Sequence, residues 1–90
     1  MQKQFRGSSC LNIDDKKINL DYYMLSELRM NCEEDEPRVT YGIEIVENDC
    51  ESECISDVTV DENKAIFLID ILKDNNVFPA HLRDVVENML

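Results

Sequence analysis

Ninety residues suffice for one hydrophobic core, and an apolar content of 43 % places the chain among ordinary globular domains rather than disordered ones. Twenty acidic residues against nine basic ones give a net charge of −11, so the surface repels phosphate backbones and anionic headgroups. The composition thus argues against nucleic acid and against membranes. The expected partner is an unidentified protein, basic by charge complementarity, or a second copy of the chain.

The first nine residues, Met1 to Ser9, are polar and carry no apolar run of a secretion signal. They are read as a flexible N-terminus preceding a single domain over 10–90. Leu11 and Ile13 lead into Asp14-Asp15-Lys16-Lys17, a polar break suited to a turn. From Ile18 to Met30, a strand places Leu20, Tyr22, Met24, Leu28 and Met30 on one face. Asp21, Tyr23, Glu27 and Arg29 take the other, and Leu25 and Ser26 break the pattern. A helix groups Leu20, Met24, Leu25 and Leu28 almost as well, but adjacent tyrosines and the length favour a hairpin arm.

Asn31 to Arg38 reads as an acidic loop with Glu33, Glu34, Asp35 and Glu36, closed by Pro37. Val39 to Glu47 is the clearest strand, with Val39, Tyr41, Ile43 and Ile45 inward and Thr40, Glu44 and Val46 outward. Gly42 in its middle marks a bulge or close packing under another element. A second acidic loop, Asn48 to Glu53, precedes a further arm from Cys54 to Val60. The period then changes. Asp61 is an N-cap for a helix from Glu62 to about Asp74, whose stripe is Ala65, Leu68, Ile69 and Leu72, widened by Phe67 and Ile71. Asn75-Asn76 ends it, and Pro79 opens a second helix with Leu82, Val85, Val86 and Met89 inward. Strands first and helices last define an α+β fold: a small antiparallel sheet of three to four strands with two C-terminal helices packed on one face.

The segments Val39-Thr40-Tyr41-Gly42-Ile43-Glu44-Ile45 and Val77-Phe78-Pro79-Ala80-His81-Leu82-Arg83-Asp84-Val85-Val86-Glu87 together resemble a family of short uncharacterised bacterial proteins from Firmicutes, a domain of unknown function. The resemblance spans roughly residues 20 to 90. It implies a bacterial, cytoplasmic origin and the strand-then-helix order, and no activity.

Candidate chemistry is sparse. Without a signal sequence, Cys10, Cys32, Cys50 and Cys54 read as reduced thiols of a cytoplasmic protein rather than two disulfides. Three of them, with Cys10 or His81 as a fourth ligand, could hold zinc only if the two acidic loops converge, and no Cys-x2-Cys pair is present. Oxidation between Cys50 and Cys54 is a lesser alternative. The run Glu47, Asn48, Asp49, Glu51, Glu53 lacks the glycine and spacing of a calcium loop. His81 and Asp84 stand at i, i+3, a pairing that can serve as general base, but neither Ser52 nor Ser56 sits in a nucleophile motif. A structural histidine accounts for the same residues. The expectation is therefore a protein that is not an enzyme, with no catalytic residues, no cofactor and no metal.

Helices on one face leave the other open, and Tyr23, Leu25, Thr40 and Val46 are assigned to it; the two readings of that face are an interaction surface and an ordinary solvated sheet face. The expected function is a small interaction or regulatory module. The alternatives are an acidic mimic of nucleic acid that inhibits a basic protein, and a metal-binding protein using the cysteines.

Overall fold

Four runs of alternating side chains pair into one antiparallel sheet in the computed structural model, which describes residues 1–29 and 37–89. Strands β1 (Gln2–Ile13), β2 (Lys16–Arg29), β3 (Arg38–Glu47) and β4 (Glu51–Thr59) lie side by side in chain order. Helix α1 (Glu62–Asp74), a 3-10 turn (Pro79–His81) and helix α2 (Leu82–Met89) follow. The α+β class, the antiparallel sheet and the helices after it are as the periodicity predicts.

The turns explain the order. Asp14 and Asp15 both adopt positive φ, 51° and 64°, between the paired residues Ile13 and Lys16. Two consecutive left-handed residues form the tight turn whose twist matches that of the flanking strands. Asn48 and Asp49 repeat the device between β3 and β4. Asn48 also locks onto β2: its N–H donates to the Asn19 carbonyl at 2.9 Å, and its side-chain oxygen accepts from the Asn19 N–H at 2.8 Å.

Helix α1 is capped as its sequence requires. The Asp61 carboxylate accepts from the Asn63 and Lys64 N–H groups, at 2.9 and 3.4 Å. At the other end Asn76 takes the left-handed conformation, φ 52°. The Val77 N–H returns to the Leu72 carbonyl and the Asn76 N–H to the Lys73 carbonyl, the paired closure of a Schellman cap.

That cap delivers Val77 to the core. Leu20, Tyr22 and Met24 of β2 and Ile43 and Ile45 of β3 pack against Ala65, Leu68, Ile69 and Leu72 of α1 and Leu82 and Val86 of α2. Tyr22 is fully buried, and its hydroxyl donates to the Val77 carbonyl at 3.1 Å. Burial pushes the Tyr22 phenol up to about 12, while the Ser9 hydroxyl pulls more weakly the other way. Ser9 itself donates to the Lys73 carbonyl at 3.2 Å, tying β1 to the end of α1.

Several expectations shift. Gln2 to Ser9, read as part of a flexible N-terminus, lie in β1, and all but Arg6 pair with β2. The second acidic loop is shorter than expected, because β4 already begins at Glu51, and Arg38 belongs to β3. Met30, Cys32 and the acidic stretch Glu33 to Glu36 lie outside the described residues. Leu28 and Val39, expected inward, are 62 % and 40 % exposed. The reason is length: 14 strand residues reach about 46 Å at ~3.3 Å each, whereas 13 helical residues span about 20 Å. The sheet outruns its helical cover. Phe67, expected to widen the core stripe of α1, points to solvent, because the narrow stripe of four small and aliphatic residues already seats the helix.

Replacing Tyr22 by Phe leaves a buried carbonyl without its donor, and urea unfolding at neutral pH should show a loss of about 1–2 kcal/mol. Because the folded phenol ionises above the unfolded one, its contribution is complete below about pH 10 and is lost as pH climbs towards 12. The fall in stability across that window should therefore shrink in Tyr22→Phe. An equal fall in both proteins would contradict the burial of the Tyr22 phenol.

Candidate functional site

The sheet has a covered face and a bare one, and the strand register decides which residue goes where. On β2 the even-numbered residues from Leu20 to Met24 enter the core, so Asp21, Tyr23, Leu25 and Glu27 point the other way. Their partners on β3 are Val46, Glu44, Gly42 and Thr40. Among the described residues no helix packs on this side. All four residues assigned from sequence, Tyr23, Leu25, Thr40 and Val46, share it.

They are not equally reachable. Leu25 and Thr40 are only 5 % and 6 % exposed, while Tyr23 and Val46 are half-buried. Gly42 is the cause. The β3–β4 register slips between Tyr41 and Ile43, and Asp57 turns through a positive φ of 58° in that slip. The bulge carries the backbone of β4 across Gly42. A Cβ on Gly42 would overlap the Ile55 carbonyl oxygen and stand 2.9 Å from the Ser56 Cα. Ser56 and Asp57 of the bulge, together with Met1, stand around Leu25 and Thr40, and both alternatives read from sequence, bulge and close packing, hold at once.

The accessible centre lies one strand over, where β1 meets β2. Lys3 pairs with Leu25 and Phe5 with Tyr23, placing both β1 side chains on the bare face. The Phe5 and Tyr23 rings meet edge to face, with centroids 5.6 Å apart and planes at 66°. Phe5 remains 56 % exposed. The Lys3 ammonium stands 4.2 Å from the centre of the Tyr23 ring and 2.6 Å from a Glu44 carboxylate oxygen. The Glu44 hydrogen bond holds that ammonium above its ordinary range, against the opposing effect of desolvation. Cys54, exposed, pairs with Glu44 across β3 and β4.

Lys3, Phe5 and Glu44 were not singled out from sequence. A single Phe in a polar run gives no strand signal, although the first thirteen residues contain no acid at all in a chain of net charge −11.

The other candidates stay apart. Cys10, Cys50 and Cys54 are free and exposed, and Cys32 lies outside the described residues. Among the described residues no three His, Cys, Asp or Glu side chains are grouped to hold a metal ion. His81 sits on the 3-10 turn and Asp84 on α2, both exposed. Ser52 and Ser56 are exposed on β4. Among the described residues, no helix is long and apolar enough to cross a membrane.

Fold and site together define a small α+β domain: a four-stranded antiparallel meander with one face roofed by helices and the other, among the described residues, without a helix on it. The chain belongs to DUF6514, a family of unknown function, whose model matches residues 1–90. No curated protein and no solved structure matches it.

Gly42→Ala should destabilise the domain by about 1–3 kcal/mol, since the added methyl forces backbone apart. Denaturant unfolding measures this. A variant as stable as the wild type would contradict the close approach of β4.

Proposed function

We propose that this protein is a small binding module that acts through the bare sheet face and performs no chemistry of its own. The observation that carries this reading is the Phe5–Tyr23 pair, an aromatic cluster held in solvent on the side away from the helices. Aromatic side chains concentrate at the centres of protein interfaces, because a rigid ring buries much area at little entropic cost. Burial elsewhere explains most of the large apolar side chains, whereas the fold draws no core contact from an exposed Phe5.

Charge supports a basic protein as the partner, since the chain carries twenty acidic residues against nine basic ones. Three exposed free thiols agree with a reducing, cytoplasmic setting.

Phe67 is an internal control. It is 62 % exposed, as accessible as Phe5, but stands three residues before Asp70 on α1, whereas Phe5 is packed edge to face on Tyr23. A photoreactive phenylalanine analogue placed at position 5 in the native cell should trap one discrete protein, of basic isoelectric point. The same analogue at position 67 should trap none. A specific adduct from position 67 alone, no adduct from position 5, or turnover of a small molecule by the purified chain would overturn the reading.

A further inference from the structure

We propose that Tyr23 and Glu44 form a recognition site for an arginine side chain of a basic protein segment, and that Lys3 fills this site in the free protein. This rests on the binding role proposed for the bare face and names the chemistry it recognises.

The site has the parts that a guanidinium needs. The Tyr23 ring offers a π face, and an ammonium already stands over it at 4.2 Å. The Glu44 carboxylate is 18 % exposed, sits one strand away and contacts the same ammonium at 2.6 Å. Phe5 walls the ring from the side. A cation is therefore already held between a ring and a carboxylate, with the Lys3 side chain still half-exposed.

Charge over the whole chain sets the partner. The face itself carries both signs: Asp21, Glu27 and Glu44 share its inner strands with Lys17 and Arg38, and Lys3 on the outer strand is the counter-charge over Tyr23. A basic segment complements a chain of net charge −11; a second copy does not. Arginine suits the site better than lysine, because a planar guanidinium stacks on a ring while its fork engages a carboxylate. Lys3 can make both contacts only with a single compact charge.

Lys3 also sets a threshold. Its tether on β1 keeps the ammonium at high effective concentration, so a lone arginine competes poorly. A segment that adds apolar contact with Phe5 and Val46 gains the extra binding needed to displace it. Lys3 thereby lowers the apparent affinity by the fraction of time it vacates the site.

The probe is an acetylated, amidated Val-Arg-Val-Arg-Val peptide, titrated calorimetrically into the full chain, with a citrulline version as its neutral counterpart. Lys3→Ala and Lys3→Met should each raise the affinity for the arginine peptide by about tenfold, as expected if Lys3 leaves the site open about a tenth of the time. Lys64→Ala, which removes an equal charge from exposed α1, should leave it unchanged. Adding Tyr23→Leu or Glu44→Gln to Lys3→Ala should abolish the gain, and the citrulline peptide should show none. Circular dichroism confirms that each variant is folded, and Lys3→Met preserves the aliphatic stem on the ring if Lys3→Ala does not fold. The proposal is overturned if the Lys3 variants bind no better than Lys64→Ala, or if the gain survives Glu44→Gln. It is equally overturned if Lys3→Ala dimerises on sedimentation without binding the peptide, which would make a second copy the occupant. An adduct trapped from position 5 alongside any of these negative results would leave the binding module standing and remove only the arginine site.

Discussion

Two adjacent tyrosines divide this molecule. Tyr22 turns into the core and donates its hydroxyl to the Val77 carbonyl, which joins the middle of the sheet to the turn between the helices. The alternation of strand side chains then obliges Tyr23 to face the other way. Once Tyr22 is fixed, the register of β2 is fixed, and with it the residues that the helices can cover. A slip of one residue would bury Asp21, Tyr23 and Glu27 and expose Leu20 and Met24, so the hydrogen bond sits on top of a large hydrophobic preference for the same arrangement.

The covered face is closed by ordinary means: a capped α1, a Schellman turn that places Val77, and a short α2 that contributes Leu82 and Val86. The bare face is closed only in part. There Ser56 and Asp57 of the β4 bulge, together with Met1, stand around Leu25 and Thr40, while Phe5 and Tyr23 stay outside it. The result is a surface with a firm backbone floor and a small aromatic and charged cluster at one side. The cluster's strands cannot shift without disturbing the core behind them, a rigidity that the proposed recognition role would use.

Much of the architecture was legible in the residues. The change from a two-residue to a three-to-four-residue period marks the passage from β4 to α1, and Asp61 and Asn76 cap the helix as their chemistry dictates. The first strand was not legible, for a specific reason. The β1–β2 register shifts between Phe5 and Gly7, where Gly7 adopts a φ of 130°. Before the shift Phe5 faces solvent opposite Tyr23; after it Leu11 faces the core opposite Ile18. Both are odd-numbered, so no single alternation joins them, and a bulge of this kind erases the pattern that identifies a strand. The same blind spot hid the site. Tyr23 and Val46 follow from the period of their own strands, but Lys3 and Glu44 meet only through three paired strands.

Tyr22 and Tyr23 lie on opposite faces, one sealed and one open. This division is tested most directly by nuclear magnetic resonance of the aromatic rings in the presence of a soluble, neutral gadolinium chelate, which broadens protons according to their access to solvent. The Phe5 and Tyr23 ring protons should broaden strongly while those of Tyr22 remain sharp. Equal broadening of the two tyrosines, or a protected Phe5 beside an accessible Tyr22, would contradict it.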